Sequence, residues 1–233
     1  MRRRLGPPEG GWRVPNSKAR WLSKRVLRSN NEYPDLPNVR DDLWDEPINF
    51  NTGDSASEAV LRATIDEVGL RGYDAATMIK IAETSGYTQG AIFSRYTSKR
   101  ELFLDATQHM VDTGSVRNEQ FHLELIENFG QGLADAIMLR GFMKPTRRGL
   151  QIVNLEQYRL AWHDQDMKRT IQDAIDLNVE QVKRQPSVVT KDAAAWVHCE
   201  YSLGLGAVLL ATLCPEASFL PYQAVTIPLL EGK

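Results

Sequence analysis

The sequence predicts an all-α protein, and three observations indicate this class. Apolar residues recur every three or four positions in one segment after another from about residue 55 onward, as on one face of a helix. Ser and Thr stand where these helices would begin, and Gly or Pro where they would end. No stretch alternates apolar and polar residues as a half-buried strand would. With 233 residues and a 42% hydrophobic composition, the chain can enclose a sizeable core in one or two domains.

The first predicted helix begins at residues 55–58, Ser-Ala-Ser-Glu, which have the form of a capping box. One face of this helix is apolar at helical spacing, and Gly72 is its predicted end. The residues of that face are Val60, Leu61, Thr64, Ile65 and Val68.

Two short helices and the start of a third are predicted within residues 77–102. Thr77 can cap the first, Gly86 supplies a permissive turn, and Thr88 can cap the second. No acidic residue lies between positions 87 and 100, so a negatively charged polymer would meet a surface of suitable sign. The basic side chains there are Arg95, Lys99 and Arg100. This pattern is typical of a helix-turn-helix that binds DNA.

Several motif positions extend this interpretation. They are Val60-Leu-x-Ala-Thr-Ile-x-x-Val-Gly-x-x-Gly-Tyr73, Thr77-x-x-x-Ile-Ala82, Ser85-Gly-Tyr-Thr-x-Gly90, Phe93-x-x-Tyr96 and Ser98-Lys-x-x-Leu102. With them, the segment from Ser55 to about Leu104 resembles the N-terminal DNA-binding domain of the TetR family of bacterial regulators. The resemblance implies a ligand-responsive transcriptional repressor that binds an inverted-repeat operator as a dimer.

The candidate DNA contacts lie at the two caps, on the second short helix and at the start of the next. Thr77 and Lys99 suit phosphates, while Gln89 in the first turn of the recognition helix could pair with adenine, with a solvated side chain as the alternative. Arg95 could take guanine or a phosphate. By the resemblance, Phe93 replaces a tyrosine that donates its hydroxyl to the DNA backbone, which puts that contact in doubt. The predicted DNA-binding residues are Thr77, Thr88, Gln89, Gly90, Phe93, Ser94, Arg95 and Lys99.

The rest of the chain predicts one helix after another. They are expected over residues 98–110, 121–137, 146–162, 167–184 and 192–213. The last helix is apolar around nearly its whole circumference from Leu203 onward, so it must be buried on all sides. Because one modest domain seldom encloses such a helix, we expect a homodimer through helix 192–213 and its neighbour 167–184, with burial inside a single chain as the alternative.

By the resemblance, the C-terminal half also holds a small-molecule effector, whose identity the sequence does not give. An apolar pocket with a few polar groups suits such a ligand, although core packing is the alternative role for each of its candidate residues. The candidates are Phe129, Phe142, Met143, Tyr158, Trp162, His163 and Trp196.

The predicted domains are an extension over residues 1–53, a helix-turn-helix domain over 54–104, and a regulatory and dimerisation domain over 105–233. Within the first 30 residues, nine Arg or Lys face the single acid Glu9, and an acidic stretch follows. This composition predicts disorder. Three interpretations of this extension are possible: an arm that contacts DNA, a variable tail, or a translation start assigned too far upstream.

Several other function classes find no support. The longest apolar run, residues 203–214, is too short to cross a bilayer, and no signal peptide is evident, so we expect a cytoplasmic protein. Two cysteines and four scattered histidines show no ligand spacing, and we predict neither a metal nor a cofactor. No catalytic arrangement is recognisable, so we predict no enzyme. A helix-turn-helix module that binds protein instead of DNA is the alternative function.

Overall fold

The computed structural model describes residues 50, 52–129, 134, 138, 147–184 and 192–213. All of them lie in a compact unit that spans Arg40–Lys233, and the other unit, Met1–Val39, lies outside the described residues. The described ranges are helical and contain no strand, which confirms the all-α class. Their helices are α1 (Ser55–Arg71), α2 (Met78–Ser85), α3 (Gln89–Phe93), α4 (Lys99–Phe129), α5 (Arg148–Ala161), α6 (Gln165–Arg184) and α7 (Ala193–Leu213).

Helix α1 is capped by a residue other than the one the sequence indicated. The carboxylate of Asp54 accepts a hydrogen bond from the amide of Ala56 at 3.1 Å and another from the hydroxyl of Ser57 at 2.8 Å. The predicted capping box with Ser55 as its cap is therefore wrong, because the helix begins with Asp54 as the cap, and Glu58 pairs with Arg62 instead. At the other end, Gly72 stops the helix with a φ of 79°, as predicted.

Helix α4 joins two helices that the sequence analysis separated. We expected helices over residues 98–110 and 121–137, but α4 is continuous for 31 residues. No proline interrupts this stretch, and single glycines are tolerated inside a helix. Ser98 begins it as predicted, since its hydroxyl accepts a hydrogen bond from the amide of Glu101 at 3.1 Å. One rod of roughly 45 Å therefore connects the helix-turn-helix to the following helices.

A single hydrophobic cluster runs through the first six helices. Leu61, Ile81 and Phe103 are fully buried in its N-terminal part, and Val153 of α5 and Met167 of α6 belong to the same cluster. Burial of such side chains stabilises each by about 1.5–3 kcal/mol relative to exposure. Within this cluster, α1 packs against α5, and α4 packs against α6.

Phe50 also belongs to this cluster, with a side chain that is only 1% exposed. Its position falls within the extension predicted over residues 1–53. Its burial shows that the core of the described unit reaches at least four residues ahead of Asp54. The rest of the predicted extension lies outside the described residues, apart from Thr52 and Gly53.

The backbones of α1 and α5 come very close where the two helices cross. A Cβ atom built on Gly69 of α1 would lie 2.8 Å from the carbonyl oxygen of Gly149 in α5. Only a residue without a side chain allows this distance. The crossing fixes α5 against the helix that precedes the helix-turn-helix.

Candidate nucleic-acid interface

The turn between α2 and α3 has the geometry that the sequence predicted. The Thr77 hydroxyl accepts a hydrogen bond from the amide of Lys80 at 3.3 Å and so caps α2. Gly86 ends α2 in the left-handed conformation, with φ 75° and ψ 12°. The Thr88 hydroxyl accepts from the amide of Ala91 at 3.2 Å and caps α3. These three local interactions set the angle between the two short helices.

Helix α3 presents nearly all of its surface to solvent. Ile92 is its buried anchor, at 2% exposure, and Tyr96 just beyond the helix is also buried. The hydroxyl of Tyr96 donates to the Asp105 carboxylate at 2.7 Å, and burial raises the pKa of this phenol. With Ile92 turned inward, the other side chains of α3 are free to meet a partner.

The exposed residues of α3 form two edges and a crest, because residues four apart share a face. Gln89 and Phe93 lie on one edge, and the Phe93 ring is 49% exposed. Gly90 and Ser94 form the crest, where a Cβ on Gly90 would meet only the Thr88 hydroxyl at 3.9 Å. This bare crest lets another molecule approach the backbone closely.

On the opposite edge, Arg95 is held by the start of α1. Its Nη1 lies 2.5 Å from Oδ2 of Asp54 and also contacts the Ser57 hydroxyl. The Arg95 guanidinium lowers the pKa of the Asp54 carboxyl to about 2. A groove between the two elements is lined by Ala56, Ser57, Val60, Tyr87, Ala91, Ile92, Ser94, Arg95 and Tyr96.

Lys99 has a different environment from the one the sequence analysis gave it. Its ammonium donates to the carbonyls of Tyr73 at 2.7 Å and Ala76 at 2.8 Å, with Asp74 at 3.4 Å, and lies 4.3 Å from the centre of the Tyr73 ring. Burial lowers its pKa. An ammonium has three donors, and here all three face the loop between α1 and α2. In this structure Lys99 anchors that loop, and its contact with a phosphate stays a prediction.

The next basic residue, Arg100, is engaged with the start of α6. Its guanidinium donates to both oxygens of Asp164, at 2.5 and 2.6 Å, and to the Asp166 carboxylate at 2.7 Å. Such a bidentate geometry is specific as well as favourable. Asp164 also accepts from the amides of Asp166 and Met167, so the same carboxylate begins α6.

Acidic side chains hold this region together through partners that the sequence did not predict. Asp54 binds Arg95, as described above. Glu67 of α1 accepts from the hydroxyl of Thr84 in α2 at 2.8 Å. Glu156 of α5 accepts from the amide of Tyr73 at 3.2 Å. Glu67 and Glu156 contact residues that are distant in the sequence, and nothing in the sequence around either residue indicates these partners.

The predicted effector residues separate into groups. Tyr158 is partly buried on α5, and burial raises its pKa. Trp162 and His163 are exposed, Trp162 at 85%, because α5 ends at Ala161 and the chain turns there toward α6. The expectation that these two line an interior pocket is therefore wrong for the single chain. The side chains of Phe129, Phe142, Met143 and Trp196 lie outside the described residues.

The comparisons with known proteins agree with this geometry. Residues 60–106 match the family model described as bacterial regulatory proteins, tetR family. No curated protein matches the chain. Within the residues that the structure describes, no helix is long and apolar enough to cross a membrane, and no group of side chains could hold a metal ion.

Solved structures share the fold at low sequence identity. A transcriptional regulator from Streptomyces coelicolor A3(2) is 17% identical with a TM-score of 0.61, and the match covers 76% of this chain and 98% of that one. A TetR-family regulator from Rhodococcus sp. is 14% identical with a TM-score of 0.60, over the same shares of the two chains. A regulator from Saccharomonospora viridis, in complex with choline, is 15% identical with a TM-score of 0.56, over 72% and 91%.

Proposed function

We propose that this chain, a transcriptional regulator of the tetR family, binds an inverted-repeat operator in double-stranded DNA as a homodimer and responds to a small molecule bound in its C-terminal helices. The family follows from the match over residues 60–106. The observation that carries the proposal is the α2–Gly86–α3 unit, in which two capped helices meet at a fixed angle and one of them is exposed.

In this proposal, the exposed faces of α3 enter the major groove. Gln89 pairs with a base edge, and the bare crest at Gly90 lets the backbone come close to the DNA. Thr77 and Thr88 bring the free amides of their helix starts toward phosphates. Arg95 supplies a positive charge at the edge of the DNA major groove, and Phe93 and Ser94 complete the contact surface. Lys99 acts indirectly, since it fixes the loop that leads into Thr77.

Helices α6 and α7 support a dimer. Leu177 of α6 and Leu209 of α7 expose 38% and 46% of their surfaces to solvent in the single chain. The amide of Asn178 donates to the hydroxyl of Tyr201 at 2.5 Å, which ties the two helices together. Exposed apolar side chains on a paired helical surface suit a two-fold interface, in which the same surface of each copy takes part.

The described helices also contain polar groups that a ligand site could use. The Gln157 amide of α5 donates to the Thr107 hydroxyl of α4 at 3.2 Å, and both residues are buried. Tyr158 follows Gln157 in the sequence. The choline in the S. viridis regulator supports a small molecule as the class of effector. Its identity in this protein is open to a binding screen.

One observation favours the alternative function, a module that binds protein. The rings of Tyr87 and Phe93 are exposed beside α3, and the cation on the edge of that helix, Arg95, is already paired with Asp54. Such an apolar and nearly neutral surface also suits a protein partner.

A gel-shift assay separates the two functions. The probe is the DNA upstream of the protein's own gene, with a scrambled duplex of equal length as control, at about 50 and about 200 mM salt. Preferential binding of the upstream DNA that weakens steeply with salt supports the regulator. The absence of any preference at both salt concentrations would refute it.

A further inference from the structure

Arg95 is the only positively charged side chain between positions 81 and 98, the stretch that includes α3. In the structure it is bound by Asp54, and it also contacts the Ser57 hydroxyl. Both side chains of the ion pair are about half exposed. Exchange of the partner therefore needs no unpacking of the core. The binding free energy that Arg95 gains from a phosphate contact is therefore reduced by the free energy lost when its ion pair with Asp54 breaks.

The carboxylate of Asp54 is fixed independently of Arg95. Its Oδ1 accepts from the amide of Ala56 at 3.1 Å, and its Oδ2 accepts from the Ser57 hydroxyl at 2.8 Å. If Arg95 turns away, Asp54 stays at the start of α1. A negative charge is then left beside the surface that meets the DNA, where it repels phosphates.

We propose that Asp54 is a built-in competitor of DNA for Arg95. In the free protein Arg95 is bound to Asp54, and on binding it exchanges that carboxylate for a phosphate. This inference rests on the DNA-binding function proposed above, and it identifies a residue that sets affinity without touching a base. Because the competition involves only the phosphate backbone, Asp54 weakens binding to all sequences by the same factor.

The exchange has a signature in the salt dependence. A free arginine that binds a phosphate releases condensed counterions, which steepens the fall of affinity with salt. Arg95 is neutralised before and after the exchange, and the freed Asp54 attracts cations. Removal of the Asp54 charge should therefore make the salt slope steeper by up to about one per protomer.

The test compares three single variants, and the Asp54 and Glu58 substitutions again in the Arg95→Gln background, by fluorescence anisotropy. The labelled duplexes are the DNA upstream of the protein's own gene and its scrambled control. Asp54→Asn removes the charge and keeps a strong helix cap. Glu58→Gln is the matched control, because it removes one charge from the first turn of α1 and affects the pair with Arg62 instead. Arg95→Gln provides the background in which competition is impossible. Asp54→Ser, also a good cap, serves as the second variant if Asp54→Asn folds poorly.

We expect Asp54→Asn to tighten binding to both duplexes by roughly two- to five-fold beyond the effect of Glu58→Gln, with a steeper salt slope. In the Arg95→Gln background, Asp54→Asn should do no more than Glu58→Gln. Weaker binding by Asp54→Asn would show that the ion pair only positions α3. An effect equal to that of Glu58→Gln would show that the tighter binding comes only from the change in net charge. Either result would refute the proposal that Asp54 competes with DNA for Arg95.

The proposed function fails on a different measurement, the preference of the wild-type protein for operator over scrambled DNA. Competition by Asp54 is measured on the scrambled duplex alone. Failure of the competition proposal can therefore be distinguished from failure of the proposed function. Thermal unfolding of all variants confirms that the compared proteins are folded.

Discussion

The crossing of α1 and α5 allows a test in which two neighbouring glycines should respond in opposite directions. At Gly69 a Cβ would lie 2.8 Å from the carbonyl oxygen of Gly149 and 2.9 Å from its Cα. At Gly149, by contrast, the nearest atom to a new Cβ is the Cα of Gly69 at 3.8 Å, an ordinary contact. The same substitution, Gly to Ala, is therefore a clash on one helix and tolerable on the other.

The magnitudes follow from this geometry. To restore a contact of about 3.5 Å around a methyl group at position 69, α1 and α5 must part by roughly 0.7 Å, and overpacking of this kind costs about 1–3 kcal/mol. Alanine has a higher helix propensity than glycine, which stabilises the helix by up to about 1 kcal/mol and offsets part of this cost. The net expectation for Gly69→Ala is a loss of about 1–2 kcal/mol, whereas Gly149→Ala should be neutral or stabilising by up to about 1 kcal/mol.

Thermal unfolding followed by circular dichroism measures the difference. For a chain of 233 residues, 1 kcal/mol corresponds to about 2–4 °C, so Gly69→Ala should lower the midpoint by about 2–8 °C. Gly149→Ala should leave it unchanged or raise it slightly. A midpoint for Gly69→Ala equal to or above that of Gly149→Ala would refute the close crossing.

Three further predictions use other parts of the structure. Phe50→Ala should destabilise the protein by about 3–5 kcal/mol in denaturant unfolding, because its ring is fully buried; a change below about 1 kcal/mol would place it outside the core. Gln89→Ala should relax base choice at one operator position, where about 1–3 kcal/mol of discrimination is lost, and an unchanged ranking of operator variants would exclude it as a base contact. Leu209→Asp should give monomers in light scattering and abolish operator binding, while the matched surface change Leu123→Asp on α4 leaves the dimer intact; a Leu209→Asp protein that still binds as a dimer would exclude α7 from the interface.

The local features of the DNA-binding half could be predicted from the sequence because each is decided within a few residues. A threonine can cap a helix only from the position just before it, and glycine is the favoured residue where the backbone turns left-handed, as it does at Gly86. These requirements leave direct traces at fixed spacing. The structure accordingly confirms the two caps and the turn at the predicted positions.

The partners of charged side chains could not be predicted in the same way. Asp54 and Arg95 are 41 residues apart, and their contact depends on how α1 packs against α3. Lys99 looked like a free surface cation because its acceptors are backbone carbonyls, which no sequence pattern reveals. The helix predicted over residues 146–162 included Trp162, but α5 ends at Ala161, and periodicity does not show where a helix ends. Charge signs in a sequence therefore identify candidates for DNA contact but do not show which of them are free.

The loop between α1 and α2 is held by side chains of α4 and α5. Lys99 at the start of α4 binds its carbonyls, and Glu156 of α5 accepts the amide of Tyr73. Arg159 of α5 adds an ion pair with Asp74 at 3.2 Å. The loop leads directly into the cap of α2, so a displacement of α5 relative to α4 must lengthen one of these contacts or move that cap. A shift of α5 would thus reach the DNA-binding helices through these hydrogen bonds as well as through the hydrophobic core, to which Val153 of α5 belongs.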